Sequence, residues 1–277
     1  MHELEIALSA LGGVATAQHL KRLGHSQDAL TALVRGGQLT RVRRGVYALV
    51  SVQRDVREAN AHGGALTCAS VLRRHGVWTL PTDDGPHTAV FRKGRAFPHD
   101  NCRCTVHYVP AKVGVGMVSL PEALVTYRRC AGDEAFFAAV ESAWHQQLLS
   151  SADRNRIRAG LPSTARWLLD LASPLAESGL ESISRLRLHR LGLRVTLQVR
   201  AGRRRVDLAV EDLLWLEFDG AEFHGGAENR HQDLVKDAVA SADGRETLRF
   251  DYAQVIYDWE SVQAAILGAL ARLRGRR

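Results

Sequence analysis

The chain has 277 residues, 45% of them apolar and 24% charged, with a formal charge of +7 and a pI near 9.6. That length suits two or three small domains, and the composition excludes disordered and fibrous chains. No run approaches the ~18 apolar residues of a membrane span, and the start, with His2, Glu3 and Glu5, does not read as a signal peptide. The basic balance favours a polyanionic partner, and the four cysteines read as reduced thiols, so a soluble cytoplasmic protein is expected.

Residues 1–52 form the first expected unit. Leu4, Ala7, Leu8 and Leu11 have helical spacing, ended by Gly12-Gly13. Thr16 is placed to cap a second helix that Gly24 stops. Ser26 is placed to cap a third, with Ala29, Leu30, Leu33 and Val34 on its apolar face. Residues 39–44 and 46–50 read as two short strands around Gly45. Three short helices and a hairpin make the winged helix-turn-helix plan, in which the helix over 26–35 enters a major groove. Arg35, Arg41, Arg43 and Arg44 stand in a stretch without an acid and suit phosphate oxygens. Gln27, Asp28 and Thr31 are the candidate base readers. The alternative is a protein-interaction wing with a solvated basic edge.

Gly13-Val-Ala-Thr-Ala-Gln-His-Leu, then Leu39 through Arg43-Arg44-Gly45-Val46-Tyr47, resembles the N-terminal domain of AbiEi-type antitoxins of type IV toxin-antitoxin systems. The resemblance implies double-stranded operator DNA as a partner, and a cognate nucleotidyltransferase-like toxin as another.

Residues 53–175 read as a mixed α/β connecting domain. A helix follows the glycines after His62, strands are expected over 87–91 and 105–109, and helices over 121–127, 133–149 and 154–170. Trp78, Phe91, Phe97 and Tyr108 are expected in the core. His62 beside Gly63-Gly64 reads as a turn, since no Lys or Ser/Thr follows at P-loop spacing. Cys102-Arg-Cys104 lacks a second ligand pair at zinc spacing and is not read as a metal site.

Residues 176–277 form the last expected domain. Glu181 stands near the start of a helix, where an acid also suits the helix dipole. A strand over 193–199 leads through the basic turn Gly202-Arg203-Arg204-Arg205, whose arginines either hold a phosphate backbone or solubilise the turn. Val206, Leu208 and Val210 alternate with Asp207 and Ala209, and a second apolar run ends on Glu217 and Asp219. A two-residue turn at 211–212 puts Asp207 and Glu217 on opposite faces, whereas a three-residue loop at 211–213 sets them opposite each other; the second is expected, because it gives the two acids a common site. Carboxylates gathered in a sheet call for a cation or a basic partner. After Gly220, Glu222, His224 and His231 lack a chelating spacing for zinc. Asp233 and Lys236 share a helix face and read equally as a surface ion pair. A last strand over 246–250 and an amphipathic helix over 262–273 close the chain.

Asp207, the spacing to Glu217-Phe218-Asp219-Gly220, and His224 resemble the core of the restriction-endonuclease-like PD-(D/E)XK superfamily, in the branch similar to very-short-patch-repair (Vsr) endonucleases. The resemblance runs from Leu180-Glu181-Ser182 to Leu248-Arg249-Phe250. It implies Mg²⁺- or Mn²⁺-dependent DNA hydrolysis, with Asp207 and Glu217 as metal ligands and Glu181 supporting. Asp219 stands where the superfamily has lysine, which makes His224 the candidate base and leaves Lys236 as the nearby ammonium. The expected fold is therefore an α+β multidomain chain: an N-terminal winged helix-turn-helix, a mixed α/β middle and a C-terminal restriction-endonuclease-like α/β domain with a central mixed sheet. Its expected function is a DNA-binding, metal-dependent endodeoxyribonuclease, or alternatively a non-catalytic AbiEi-like regulator. The acids and His224 favour the first, while the missing lysine and the antitoxin-like head favour the second.

Overall fold

A computed structural model describes residues 2–10, 12–81, 85–97, 102–201, 204–219 and 245–275. The chain is mixed α+β with several sheets and divides into two compact units, Met1–Gly132 with Ser151–Thr164, and Asp133–Ser150 with Ala165–Arg277.

The first unit opens with α1 (His2–Ala10), β1 (Val14–Thr16), α2 (Ala17–Arg22), α3 (Gln27–Arg35), β2 (Leu39–Arg43) and β3 (Val46–Leu49). Thr16 and Ser26 each accept a hydrogen bond from the backbone N–H three residues on, at His19 (3.1 Å) and Ala29 (3.2 Å), satisfying donors that a helix start leaves open. Leu4, Leu8, Leu20, Leu30, Leu39 and Tyr47 pack into one apolar cluster. The strands run in the order β1-β3-β2, all antiparallel. Strand β1 adds a third member to the expected hairpin, because buried Val14 and Ala15 carry the chain from α1 alongside β3. Gly13 permits that entry: its φ is +79°, and a Cβ there would stand 2.3 Å from Val52 Cγ2.

The unit continues with α4 (Arg54–Ala61), β4 (Ala65–Leu66), α5 (Cys68–Arg74), β5 (His87–Phe91) and β6 (Thr105–Val109). β4 pairs antiparallel with β5, and β5 pairs parallel with β6. Fully buried Asn60 locks α4 to a distant loop. Its Nδ2 donates to the carbonyls of Val56 (2.7 Å) and Gly116 (3.0 Å), and its Oδ1 accepts from Gly116 N–H (2.8 Å). The aromatics depart from the core expectation. Phe97 and Tyr108 are 45% and 59% exposed, and Trp78 and Phe91 are half-buried. Tyr108 lies on β6, which among the described residues is an edge strand paired with β5 alone.

Helix α6 (Leu120–His145) runs through the break expected near residue 130, but Gly132 within it is not helical (φ 86°, ψ −179°). The division between the units falls at that glycine. Helix α7 (Ser151–Gly160) belongs to the first unit.

In the second unit, α8 (Trp167–Leu171) and α9 (Gly179–Arg190) precede β7 (Val195–Ala201), β8 (Arg204–Val210), β9 (Leu214–Asp219) and β10 (Glu246–Asp251). Helices α10 (Tyr252–Tyr257) and α11 (Trp259–Arg274) follow. The strand order is β10-β9-β8-β7, an antiparallel meander with β10 added parallel to β9, which makes a mixed sheet. Trp215 is fully buried in it, with the Arg245 guanidinium 5.0 Å above its ring. Among the described residues, no helix is long and apolar enough to cross a membrane.

Candidate nucleic-acid interface and acidic sheet face

Register decides where the acids stand. Val210 pairs with Leu214 and Leu208 with Leu216, so residues 211–213 form the loop and Asp207 falls opposite Glu217 on the same sheet face. Asp219, two residues on, shares that face. The Asp207 carboxylate accepts from the Phe218 N–H at 2.8 Å. Glu217, 6% exposed, takes the Arg249 guanidinium at 3.0 Å from the neighbouring position on β10.

Helix α9 brings Glu181 to this face. Ser178 caps the helix by accepting from Glu181 N–H (3.2 Å), and the Glu181 carboxyl is held by Glu177 N–H (3.1 Å) and Gln198 Nε2 (3.0 Å). Burial, reinforced by the nearby Asp207 charge, pushes Glu181 up to about 7. Gln198 and Arg249 are the two members that sequence reading missed. Gln198 (φ 51°) sits where the β7–β8 pairing is interrupted between Leu197 and Val199, a local irregularity with no marker such as glycine. Arg249 acquires its role only from β9–β10 pairing.

This face assembles carboxylate oxygens, which suit a hard divalent cation. Among the described residues, however, the groups that bring three or more ligand atoms within 4.8 Å of one another lie in the first unit. His224, Lys236 and Arg203 lie outside the described residues, as do Glu222, His231 and Asp233. Arg204 begins β8, and Arg205 is exposed, 3.7 Å from Glu177.

At the other candidate site, α3 lies beside β2 and is tied to β3 by Gln27 Nε2 donating to the Tyr47 hydroxyl at 3.1 Å. Gln27, Asp28, Thr31 and Arg35 are exposed on α3, and the Thr31 hydroxyl donates back to the Gln27 carbonyl (2.9 Å). Arg41 and Arg44 are exposed on the hairpin, which turns at Gly45 (φ 75°). Arg43 differs from them. It is half-buried, and its Nε donates to the Asn60 carbonyl at 2.9 Å, so it braces α4 against the hairpin.

Residues 2–50 match the family described as transcriptional regulator, AbiEi antitoxin. The antitoxin-matching segment takes in all of α1–α3 and β1–β3, including the exposed Arg35, Arg41 and Arg44. The acidic face of the second unit lies outside the matched segment. No curated protein matches the chain.

Proposed function

We propose that this chain is a DNA-binding transcriptional regulator of the AbiEi antitoxin kind, gripping duplex DNA with a winged helix-turn-helix built from residues 1–52. The observation that carries the reading is α3 beside a hairpin with exposed Arg41 and Arg44, inside a segment that matches an antitoxin regulator family. Arginines at these positions neutralise phosphates and supply affinity without reading sequence. Asp28 and Thr31 face outward to base edges, while Gln27 orients α3 through Tyr47. The partners implied are operator DNA and a cognate nucleotidyltransferase-like toxin.

Fluorescence anisotropy of the full chain on DNA from upstream of its own gene tests this. Arg41→Ala with Arg44→Ala should weaken binding on all sequences and lower the salt slope by about 2, roughly one for each phosphate that is no longer neutralised. Binding that ignores salt and both arginines would sink the reading.

A second reading is favoured by one observation, the facing of Asp207 and Glu217 with Glu181 beside them. In it the second unit is a Vsr-like, restriction-endonuclease-like domain that hydrolyses DNA. Asp207 and Glu217 would hold Mg²⁺ or Mn²⁺ with Glu181 supporting, once Arg249 yields Glu217. The ion would supply Lewis acidity and an acidified water. Plasmid nicking in Mg²⁺ or Mn²⁺ that vanishes in both Asp207→Ala and Glu217→Ala supports it. Intact plasmid under the same conditions leaves the regulator alone.

A further inference from the structure

The first unit carries chemistry that no sequence motif announces. Cys68, His87, His107 and Cys130 each bring one ligand atom into a common space, all four atoms lying within 4.8 Å of one another. Each comes from a different element: Cys68 opens α5, His87 opens β5, His107 lies on β6 and Cys130 on α6. Parallel pairing sets Ala89 beside His107, so His87, two residues earlier, shares that sheet face. The two imidazoles stack with centroids 5.1 Å apart and planes 16° from parallel. His87 Nδ1 stands 2.9 Å from His107 Nε2, and Cys130 Sγ stands 3.9 Å from His87 Nδ1.

These separations bracket those of a tetrahedral zinc complex. Zinc–sulfur and zinc–nitrogen bonds of about 2.3 and 2.0–2.1 Å set neighbouring donors roughly 3.3–3.8 Å apart. A backbone feature points the same way. Cys68 has φ +53°, left-handed backbone that a residue with a Cβ enters only against strain, and such strain gathers at ligand-holding positions.

We propose that Cys68, His87, His107 and Cys130 form a tetrahedral Cys₂His₂ zinc site. Two thiolates balance the ion's charge and two neutral imidazoles complete the shell, a neutral assembly that suits the full burial of Cys68 and His87. Four protein ligands leave no open position, so the ion is structural and ties α5, β5, β6 and α6 together. The ligands are 19, 20 and 23 positions apart, which is why no Cys-x₂-Cys spacing betrays them. A second group, His62 with Cys102 and Cys104, has His62 Nδ1 3.3 Å from Cys102 Sγ and, among the described residues, brings three ligand atoms together. It serves as the internal control.

The test uses the full chain purified under reducing conditions. Elemental analysis should find about one zinc per chain. Cobalt exchanged for it should give the visible bands of a tetrahedral ion and thiolate-to-cobalt charge transfer. Cys68→Ser, Cys130→Ser and His107→Ala should each weaken metal binding by more than about 100-fold, beyond the loss that a supporting partner gives. Cys102→Ser should keep the metal and its spectrum. Four results overturn the proposal: no bound metal in the reduced wild-type chain, an octahedral cobalt spectrum, metal retained in Cys68→Ser or Cys130→Ser, or metal lost only with Cys102 or Cys104. Peptide mapping that finds a Cys68–Cys130 disulfide in place of metal overturns it as well. Should the variants fail to fold, X-ray absorption of the wild-type zinc decides between two sulfur and two nitrogen donors and any other shell.

Discussion

Glu141 is fully enclosed, and burial pushes its carboxyl up against the opposing pull of the Arg185 guanidinium. The pair is well supported: Ser173 N–H donates to Glu141 at 2.6 Å, and Arg185 donates to the Leu171 carbonyl at 3.0 Å and lies over the Phe137 ring. Removing one partner strands the other in an apolar interior. Arg185→Met should cost about 3–5 kcal/mol in urea denaturation, and the double change with Glu141→Leu should recover most of it. Glu181 makes a pH-dependent contribution of opposite sense to that of an ordinary ion-paired acid. Its folded value of about 7 lies above the ordinary 4.5, so the folded chain holds the proton more tightly than the unfolded one. That contribution is complete below about 4.5 and is lost as pH rises through about 7. Glu181→Gln should therefore flatten a decline in stability across this window, read as urea midpoints at a series of pH values. In the nuclease reading, Mg²⁺ affinity should rise over the same window, because ion and proton compete for one carboxylate.

Among the elements, the loop between β8 and β9 is a strained turn with a functional consequence. Glu211 and Asp212 both have positive φ, 53° and 56°, and Leu213 N–H donates to the Val210 carbonyl at 3.0 Å. This is the twist of a hairpin turn that ordinarily takes Asn-Gly. Holding a residue with a Cβ there costs about 1–2 kcal/mol, more than the exposed Arg194–Asp212 pair at 2.7 Å returns. Asp212→Gly should raise stability by about 0.5 kcal/mol after glycine's own entropy cost, seen as a higher melting temperature. It should leave Asp207 opposite Glu217, because the loop length is unchanged. A residue deleted from 211–213 would shift the register and separate the two acids.

At the scale of the molecule, the +7 charge is unevenly spread. Arg41 and Arg44 are exposed at the hairpin of the first unit, whereas much basic charge in the second unit is matched internally, as in Arg187 and Arg190 with Glu134 and Arg249 with Glu217. Nucleic-acid affinity should therefore reside in the first unit. Substituting exposed Arg205 in the second unit should change DNA affinity by less than about twofold, while Arg44→Ala should lower it by about tenfold, measured at one fixed salt concentration.

The local features were legible in the sequence because each depends on neighbouring residues. Thr16 and Ser26 announce helix starts by their short oxygen-bearing side chains, and alternation from Val206 to Val210 announces a strand. The strands at 87–91 and 105–109 follow from short apolar runs, and the mixed α+β class follows from the succession of these elements. For Asp207 and Glu217 the sequence left two loop lengths open: pleat parity makes them face each other only with a three-residue loop, and the Val210–Leu214 pairing decides for it. What only the tertiary structure decided is which distant side chains meet. Arg43, one of four similar arginines in sequence, turns inward to Asn60, while Arg249 crosses to Glu217. Tyr108 stands exposed because its strand is an edge, and four cysteines and histidines with no shared spacing converge. Periodicity encodes the face a residue occupies. Sheet order and helix packing determine its neighbours there, and they arise from the burial of the whole chain.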